Sequence, residues 1–443
     1  MSEAQTIFAL STAPGRAGIA VVRISGPQAG PVLDALCSSR PQERYAAFRR
    51  LRDPASGEVI DAGLVLWIPG PRSETGEDMA ELHLHGGPAV VKAALGTLSA
   101  MSGCRLAEPG EFARRAFLNG KLDLAEVEGL ADLIEAETEA QRSQALRQLG
   151  GALSKLYEGW RSEILSACAL IEAAIDFSDE ADVATDAQHR ARAIITPLVG
   201  AIDAHLADGH RGEILRDGFR VVLAGAPNVG KSSLLNALAR RDAAIVSEEA
   251  GTTRDAIEVR LDLEGLPVIV TDTAGIREAG GAVEREGIRR SLEHARDADL
   301  VLWLTDASAA VVPAPPEIAA RAKSTLIVAN KIDVAIAGPL PSAALPISAK
   351  TGAGIEALSR RLTEAARERI GDASSPAITR ERYRAHLQES LAGLRAFLAG
   401  SPSDIELRAE DLRRAAHALG RITGRIDVED VLREIFSRFC IGK

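Results

Sequence analysis

The sequence predicts a multidomain chain: an α+β region at the N-terminus, an all-α helical domain after it, and an α/β domain inserted into that helical domain. Three observations predict this. Short β-like runs alternate with turns up to about residue 120, apolar residues then recur every three or four positions, and a strand–loop–helix module with a phosphate-loop pattern interrupts the helical spacing.

The N-terminal region carries β-like runs at Ile19-Ala20-Val21-Val22-Arg23-Ile24 and Leu64-Val65-Leu66-Trp67-Ile68. The period changes near Leu122. Leu153, Leu156, Trp160, Ile164, Cys168, Ile171 and Ile175 mark one long amphipathic helix with Cys168 on its buried stripe. The turn-rich stretches at Ala207-Asp208-Gly209-His210-Arg211-Gly212 and Gly371-Asp372-Ala373-Ser374-Ser375-Pro376 read as linkers on either side of the insertion. Helical spacing resumes at Tyr383, Leu387, Leu391 and Leu394, then at Leu412, Leu419, Val431, Ile435 and Phe439. The expected divisions are 1–120, 121–216, 217–373 for the insertion, and 374–443 for the second helical part. An insertion of this kind lets the inserted domain move helices at both crossing points.

The inserted segment carries the chemistry. Gly225-Ala226-Pro227-Asn228-Val229-Gly230-Lys231-Ser232 is a GxxxxGKS loop between the strand Val221-Val222-Leu223-Ala224 and a helical pattern at Leu234, Leu235 and Leu238. Its backbone N–H groups can turn inward around phosphate oxygens, Lys231 adds a point charge, and the Ser232 hydroxyl can ligate Mg²⁺. Asp272-Thr273-Ala274-Gly275 follows the strand Val268-Ile269-Val270 and places a carboxylate where it reaches Mg²⁺ through water. Asn330-Lys331-Ile332-Asp333 follows Leu326-Ile327-Val328; an Asp there accepts from guanine N1–H and the exocyclic amine, a donor pair that adenine lacks. Ser348-Ala349-Lys350 fits the loop behind the base, and Thr253 stands where a switch threonine completes the Mg²⁺ shell. Together these residues predict an α/β P-loop GTPase of Ras-like type that binds and hydrolyses GTP.

The position after the DxxG element is Ile276, which cannot orient water as a glutamine would. Asn228 either steadies the loop turn or joins phosphate oxygens and switch-loop carbonyls around a monovalent cation, and the residues alone leave both readings open.

Length, 443 residues, allows about three domains, and 46% hydrophobic residues supply their cores. No basic leader and no 18-residue apolar span occur, so a cytoplasmic protein without membrane contact is expected. Cys37, Cys104, Cys168 and Cys440 lack CxxC or Cys/His spacing, which argues against a zinc site or a disulfide scaffold. A net charge of −10 argues against electrostatic coating of nucleic acid. Arg49-Arg50-Leu51-Arg52 is a local basic cluster, expected on a solvated loop face. His83 and His85 share one face of a strand-like run, where ordinary polar roles are expected in preference to a metal pair.

Over essentially its whole length the sequence resembles the MnmE (TrmE) family of tRNA-modification GTPases. The resemblance rests on Gly251-Thr252-Thr253-Arg254-Asp255 and the terminal Cys440-Ile441-Gly442-Lys443, with Ala13-Pro14-Gly15-Arg16, Thr75-Gly76-Glu77-Asp78, His85-Gly86-Gly87, and Pro109-Gly110-Glu111-Phe112 through Asn119-Gly120-Lys121-Leu122-Asp123-Leu124. It implies GTP contacts at Asn228-Val229-Gly230-Lys231-Ser232-Ser233, Ser247-Glu248-Glu249-Ala250-Gly251-Thr252-Thr253, Asp272-Thr273-Ala274-Gly275, Asn330-Lys331-Ile332-Asp333 and Ser348-Ala349-Lys350. It further implies Mg²⁺ on Ser232 and Thr253, an activating K⁺ on Asn228, Ser247, Glu249 and Thr252, and Glu284 as the residue that positions water.

Ser247-Glu248-Glu249 stands where the family reads Thr-Asp-Ile, and the extra carboxylates bear on cation affinity. The resemblance implies that residues 1–120 are a tetrahydrofolate-binding and dimerisation domain, with Arg23, Glu81, Lys121 and Lys443 as folate contacts. The one-carbon donor would be a 5,10-methylene- or 5-formyl-tetrahydrofolate. Glu74 occupies a position where the family tends to have an aromatic. The resemblance also implies a homodimer, an FAD-dependent MnmG partner in a heterotetramer, FAD through that partner only, and modification at C5 of the tRNA wobble uridine. Cys440 would enter the modification chemistry; read from residues alone, a dispensable tail thiol is equally consistent. The alternative reading is a ribosome-assembly GTPase switch of the Era or Der type, which needs neither the N-terminal region nor Cys440.

Overall fold

The computed structural model describes residues 5–176, 181–241, 244–245, 257–272, 297–309, 313–320, 324–334, 336–341, 343–371, 375–401, 403–426, 435, 436, 439 and 442. The chain groups into two compact units, 1–131 with 420–443, and 132–419.

In the first unit, β1 (Thr6–Leu10), β2 (Ala17–Ser25), α1 (Ala29–Cys37), β3 (Ala47–Arg52), β4 (Val59–Ile68), β5 (Met79–Gly86), α2 (Pro88–Ala100), β6 (Cys104–Leu106) and α3 (Glu111–Leu118) follow in order. The six strands form one sheet in the order β3-β4-β5-β2-β1-β6, antiparallel except for the parallel β1–β6 pair. Period-two alternation sorts the side chains: Phe8, Val22, Ile24, Val65 and Leu82 pack with Leu33, Leu36 and Leu98 of α1 and α2, whereas Ile7 and Ala9 turn to the other face and meet Phe112 of α3. Burying that apolar set on both faces fixes the strand register, because a one-residue slip would exchange the two sets. The basic run Arg49-Arg50-Leu51-Arg52 lies in edge strand β3 and not on a loop. Leu51 is buried while Arg50 and Arg52 are exposed, so the alternation that seats Leu51 in the core overrides the polar composition.

α4 (Leu124–Glu135) crosses the boundary between the units. The second unit continues with α5 (Glu139–Leu149), α6 (Ala152–Asp176), α7 (Ala181–Leu206) and α8 (Arg211–Asp217). Cys168 and its stripe of Leu153, Trp160, Ile164 and Ile171 are buried on α6. The α/β part holds β7 (Phe219–Gly225), α9 (Lys231–Arg241), β8 (Ala244–Ile245), β9 (Ile257–Leu263), β10 (Leu266–Asp272), β11 (Leu300–Asp306), α10 (Pro316–Ala319), β12 (Thr325–Asn330), β13 (Leu345–Pro346) and α11 (Ile355–Ile370). Its sheet order is β13-β12-β11-β7-β10-β9-β8, parallel from β13 to β10 and antiparallel at β9 and β8. Such a sheet buries both faces. Val221, Leu223, Val268 and Val270 pack on Leu234 and Leu238 of α9 and Leu358 and Leu362 of α11, while Val222, Ala224, Val301 and Trp303 pack opposite, with Ile318 of α10.

α12 (Glu381–Ala399) and α13 (Ile405–Thr423) complete the helical part. Where the chain passes between helical and α/β parts, both passages are tied together by side chains. Arg384, at the start of α12 and 6% exposed, donates to the Leu206 carbonyl at 2.9 Å, to Asp208 at 3.0 Å and to Glu213 at 3.3 and 3.4 Å. Gln148 of α5 accepts from Thr379 Oγ1 at 3.0 Å, and Arg216 of α8 donates to the Thr379 carbonyl at 3.2 Å. The stretch 207–210 is therefore a short turn held by a buried cation. Residues 372–374, half of the second linker, lie outside the described residues.

Candidate functional site

Gly225-Ala226-Pro227-Asn228-Val229-Gly230 joins the central strand β7 to α9, so its turning backbone lies at the C-terminal edge of the parallel sheet. That edge is where α/β sheets bind ligands. Asn228 takes a left-handed backbone at φ 60°, and its side chain is exposed. Gly230 sits at φ 97°, where an added Cβ would come within 2.3 Å of Asn330 Nδ2, so both backbone and space require glycine. Lys231 is 8% exposed and donates to the carbonyls of Gly225 at 2.9 Å and Ala226 at 3.0 Å, curling its ammonium over the loop. Burial pushes its pKa down and Asp272 partly offsets this. Ser232 Oγ donates to Asp272 Oδ2 at 2.6 Å, and Asp272 is fully buried at the end of β10. The structure thus brings hydroxyl and carboxylate together at one point, an all-oxygen pair suited to a hard divalent cation.

Two further strand ends complete the edge. Asn330, 2% exposed at the end of β12, donates to the Val229 carbonyl at 2.8 Å and accepts from Ala349 N at 3.0 Å. Ser348 Oγ donates to Asp333 Oδ1 at 2.6 Å and accepts from Thr351 N at 3.1 Å. The Ser348 hydrogen bond, foremost, holds the Asp333 carboxyl below its ordinary range, so the group is an acceptor at neutral pH. Lys331, at φ 68°, reaches Asp306 Oδ2 at 2.7 Å. Asp306 belongs to none of the sequence motifs. Its signal is its place at the end of an apolar run, Leu300-Val301-Leu302-Trp303-Leu304-Thr305, between the DxxG and NKxD strands. Ser233 follows Ser232 on α9 and is exposed, while Ile332 and Lys350 lie in the loops after β12 and β13. Ser247, Glu248, Glu249, Ala250, Gly251, Thr252, Thr253, Thr273, Ala274, Gly275, Glu284, Cys440 and Lys443 lie outside the described residues.

A second cluster lies in the N-terminal unit. Arg23 on β2 and Glu81 on β5 are cross-strand partners, and Arg23 donates to Glu81 Oε1 through Nε at 3.1 Å and Nη2 at 3.0 Å. His83 Nε2 lies 3.2 Å from Glu81 Oε2, and His85 Nδ1 lies 2.8 Å from Asp61 Oδ1, so each histidine has a carboxylate partner of its own. Arg23 Cζ sits 5.9 Å over the Phe112 ring. Its remaining edge meets Glu74, at the position where the family tends to have an aromatic: Nη1 to Oε2 is 2.8 Å. Lys121 is exposed and donates to the Pro71 carbonyl at 2.9 Å, beside the same 70–78 loop. Gly442 lies against the end of β1, with Ser11 Oγ donating to its carbonyl at 3.0 Å. At φ 100°, a Cβ there would stand 2.2 Å from the Leu10 carbonyl, so the tail's glycine permits this approach.

Among the described residues, His210, Glu213 and Glu381 group within metal-ligand reach of one another, but both carboxylates already face the Arg384 guanidinium, at 3.3 Å for Glu213 and 4.0 Å for Glu381. No helix among the described residues is long and apolar enough to cross a membrane.

The profile of the MnmE helical domain matches residues 124–440, and that of the GTP-binding protein TrmE N-terminus matches residues 6–121. The tRNA modification GTPase MnmE of Rhodopseudomonas palustris is 54% identical over 99% of this chain and 99% of its own length. The protein of the same description from Maricaulis maris is 51% identical, again over 99% of each chain. Among solved structures, Aquifex aeolicus Era bound to GDP and AlF4⁻ is 23% identical, covers 41% of this chain and 67% of that one, and has a TM-score of 0.26, a likeness that carries no argument. With a phosphate loop, a guanine-type strand end and full-length relatives more than half identical, the chain is a GTP hydrolase and belongs to the MnmE family of tRNA modification GTPases.

Proposed function

We propose that this protein is a K⁺-activated GTPase. With an FAD-dependent MnmG partner, it installs an aminomethyl or carboxymethylaminomethyl group at C5 of the tRNA wobble uridine, position 34. The observation that carries the nucleotide half is the Ser348–Asp333 hydrogen bond, which holds an ionised acceptor beside the loop where the base lies.

In this reading Asn228 to Ser233, the switch segment 247–253, Asp272 to Gly275, Asn330 to Asp333 and Ser348 to Lys350 contact GTP. Ser232 and Thr253 hold Mg²⁺, and the paired oxygens of Ser232 and Asp272 fit that ion. Asn228, Ser247, Glu249 and Thr252 hold K⁺, which supplies positive charge to the developing phosphate oxygens. The exposed Asn228 amide, carried on a left-handed turn, is consistent with that role. Glu284 positions water.

Residues 1–120 form the tetrahydrofolate-binding and dimerisation domain, 121–216 and 374–443 the helical domain, and 217–373 the GTPase. The carboxylate of Glu81 accepts from the pterin donors while Arg23, Lys121 and Lys443 serve the acceptor and anionic groups, a donor set that matches a reduced folate. The contact of Gly442 with Leu10 and Ser11, one and two positions beyond the strand partner of Arg23, supports a tail that carries Cys440 and Lys443 to this cluster. The working form is a cytoplasmic homodimer within a heterotetramer.

The test is mass spectrometry of digested tRNA from cells lacking the protein and from cells restored with wild type or Cys440→Ser. Loss of the wobble modification restored by wild type alone is expected; unchanged uridines in the deletion overturn the assignment. GTP turnover is expected to be faster in K⁺ than in Na⁺, and equal rates would remove the cation site.

A further inference from the structure

The Arg23 cluster contains two carboxylates that differ in how they are held. Glu81 is the fixed one: its side chain is 17% exposed, it lies opposite Arg23 in the β-ladder, it takes Nε and Nη2, and its second oxygen meets His83. Glu74 is the other. Its side chain is 46% exposed, it takes only Nη1, and no other partner of its carboxylate is seen among the described residues. The loop on either side of it is pinned down. Thr75 is fully buried and shares a 2.8 Å hydrogen bond with Ser25, its carbonyl accepts from Asn119 Nδ2 at 2.7 Å, and Ser73 is 3% exposed and donates to the Glu77 carbonyl. The backbone at residue 74 is thus anchored between two buried neighbours, and only the Glu74 side chain can swing.

We propose that Glu74 is a displaceable counter-ion that closes Arg23. A ligand's anionic oxygen binds by taking Nη1 and sending the Glu74 carboxylate into water, while Glu81 keeps Nε and Nη2. The guanidinium fork permits this exchange, because its Nη1 edge is a separate donor site from the Nε–Nη2 edge already occupied. The consequence is selectivity. A neutral or weakly polar group gains nothing by meeting Arg23, since it would replace a charged acceptor with a poorer one, whereas an anion replaces like with like. Glu74 also repels any anion that approaches without displacing it. The inference rests on the reading of this cluster as a reduced-folate site.

The experiment is equilibrium binding of 5-formyltetrahydrofolate to the full-length protein by titration calorimetry. Wild type, Glu74→Gln, Arg23→Gln and the exposed, charge-matched control Glu58→Gln are compared at low and at high salt, with circular dichroism of each. Glu74→Gln is expected to bind roughly two- to fivefold tighter than wild type at low salt, the range of an exposed ion pair, and the gain is expected to shrink towards parity at high salt. Glu58→Gln is expected to match wild type.

If wild type binds, Arg23→Gln weakens binding and Glu74→Gln is unchanged or weaker, the counter-ion role is overturned while the folate reading stands. An equal gain in Glu58→Gln would reduce the effect to net charge and overturn it too. If neither wild type nor Glu74→Gln binds, the folate reading itself fails and takes the proposal with it.

Discussion

The Asn330 side chain bridges two distant loops, donating to the Val229 carbonyl, 101 residues before it, at 2.8 Å while accepting from Ala349 N, 19 residues after it, at 3.0 Å. One buried amide therefore sets the spacing between the phosphate loop and the loop that backs the base. The tight fit of Gly230 against the same Nδ2 shows how little slack remains.

Replacing Asn330 by Ala leaves a buried carbonyl and a part-buried N–H without their partner, at about 1–3 kcal/mol. The expected outcome is nucleotide affinity reduced on the order of 10- to 100-fold, because phosphate and base contacts can no longer be made at one fixed separation. Fluorescent GTP-analogue titration checks this, with circular dichroism to confirm the fold.

Asp333→Asn exchanges an ionised acceptor for an amide. The guanine donor pair then loses its partner, while xanthine, which offers an acceptor where guanine has its amine, gains one. GTP affinity is expected to fall on the order of 100-fold and xanthosine triphosphate binding to appear. Competition binding with both nucleotides measures the exchange.

Glu111 is 2% exposed and accepts from Arg105 at 2.6 and 2.8 Å, from Arg115 at 3.1 Å and from Glu108 N at 2.9 Å. Burial alone would raise its pKa, but these donors overcome it and hold the carboxyl at about 2 against an ordinary 4.5. A depressed folded-state pKa means that this stabilisation is fully present above pH 4.5 and is lost as pH falls towards 2. Its size is roughly 3 kcal/mol. Glu111→Gln is therefore expected to destabilise the N-terminal unit near neutral pH and to converge on wild type in acid, as read from denaturant midpoints across pH.

Arg384 is a buried cation holding two carboxylates and a carbonyl. Arg384→Met leaves Asp208 and Glu213 without it, and the expected loss is about 3–5 kcal/mol. Adding Asp208→Asn and Glu213→Gln should recover much of it, since the cost lies in the unpaired charges. Thermal unfolding of the single and triple variants tests this, and GTP affinity is expected to change little, because none of the three touches the phosphate loop.

The sequence by itself determined the motif order of the α/β part and the strands β7, β10 and β12 that carry it, because a phosphate loop, a DxxG end and an NKxD end are each local: a short apolar strand and the residues just beyond it. The α6 stripe was legible for the same reason, since helical period is a property of neighbours three and four apart. Contacts between distant segments were not legible. The basic run at 49–52 reads as loop by composition, yet pairing with β4 and burial of Leu51 make it a strand. Asp306 acquires a role only because Lys331, 25 residues on, folds against it. Arg384 looks like any helix arginine until the chain returns past Asp208 and Glu213. Glu74 reads as a missing ring until the fold brings Arg23 beneath it, 51 residues away in sequence. Periodicity and motif spacing report the forces between near neighbours; pairing of charges and satisfaction of buried donors depend on which segments meet, and that is settled only when the sheets close and the helices pack.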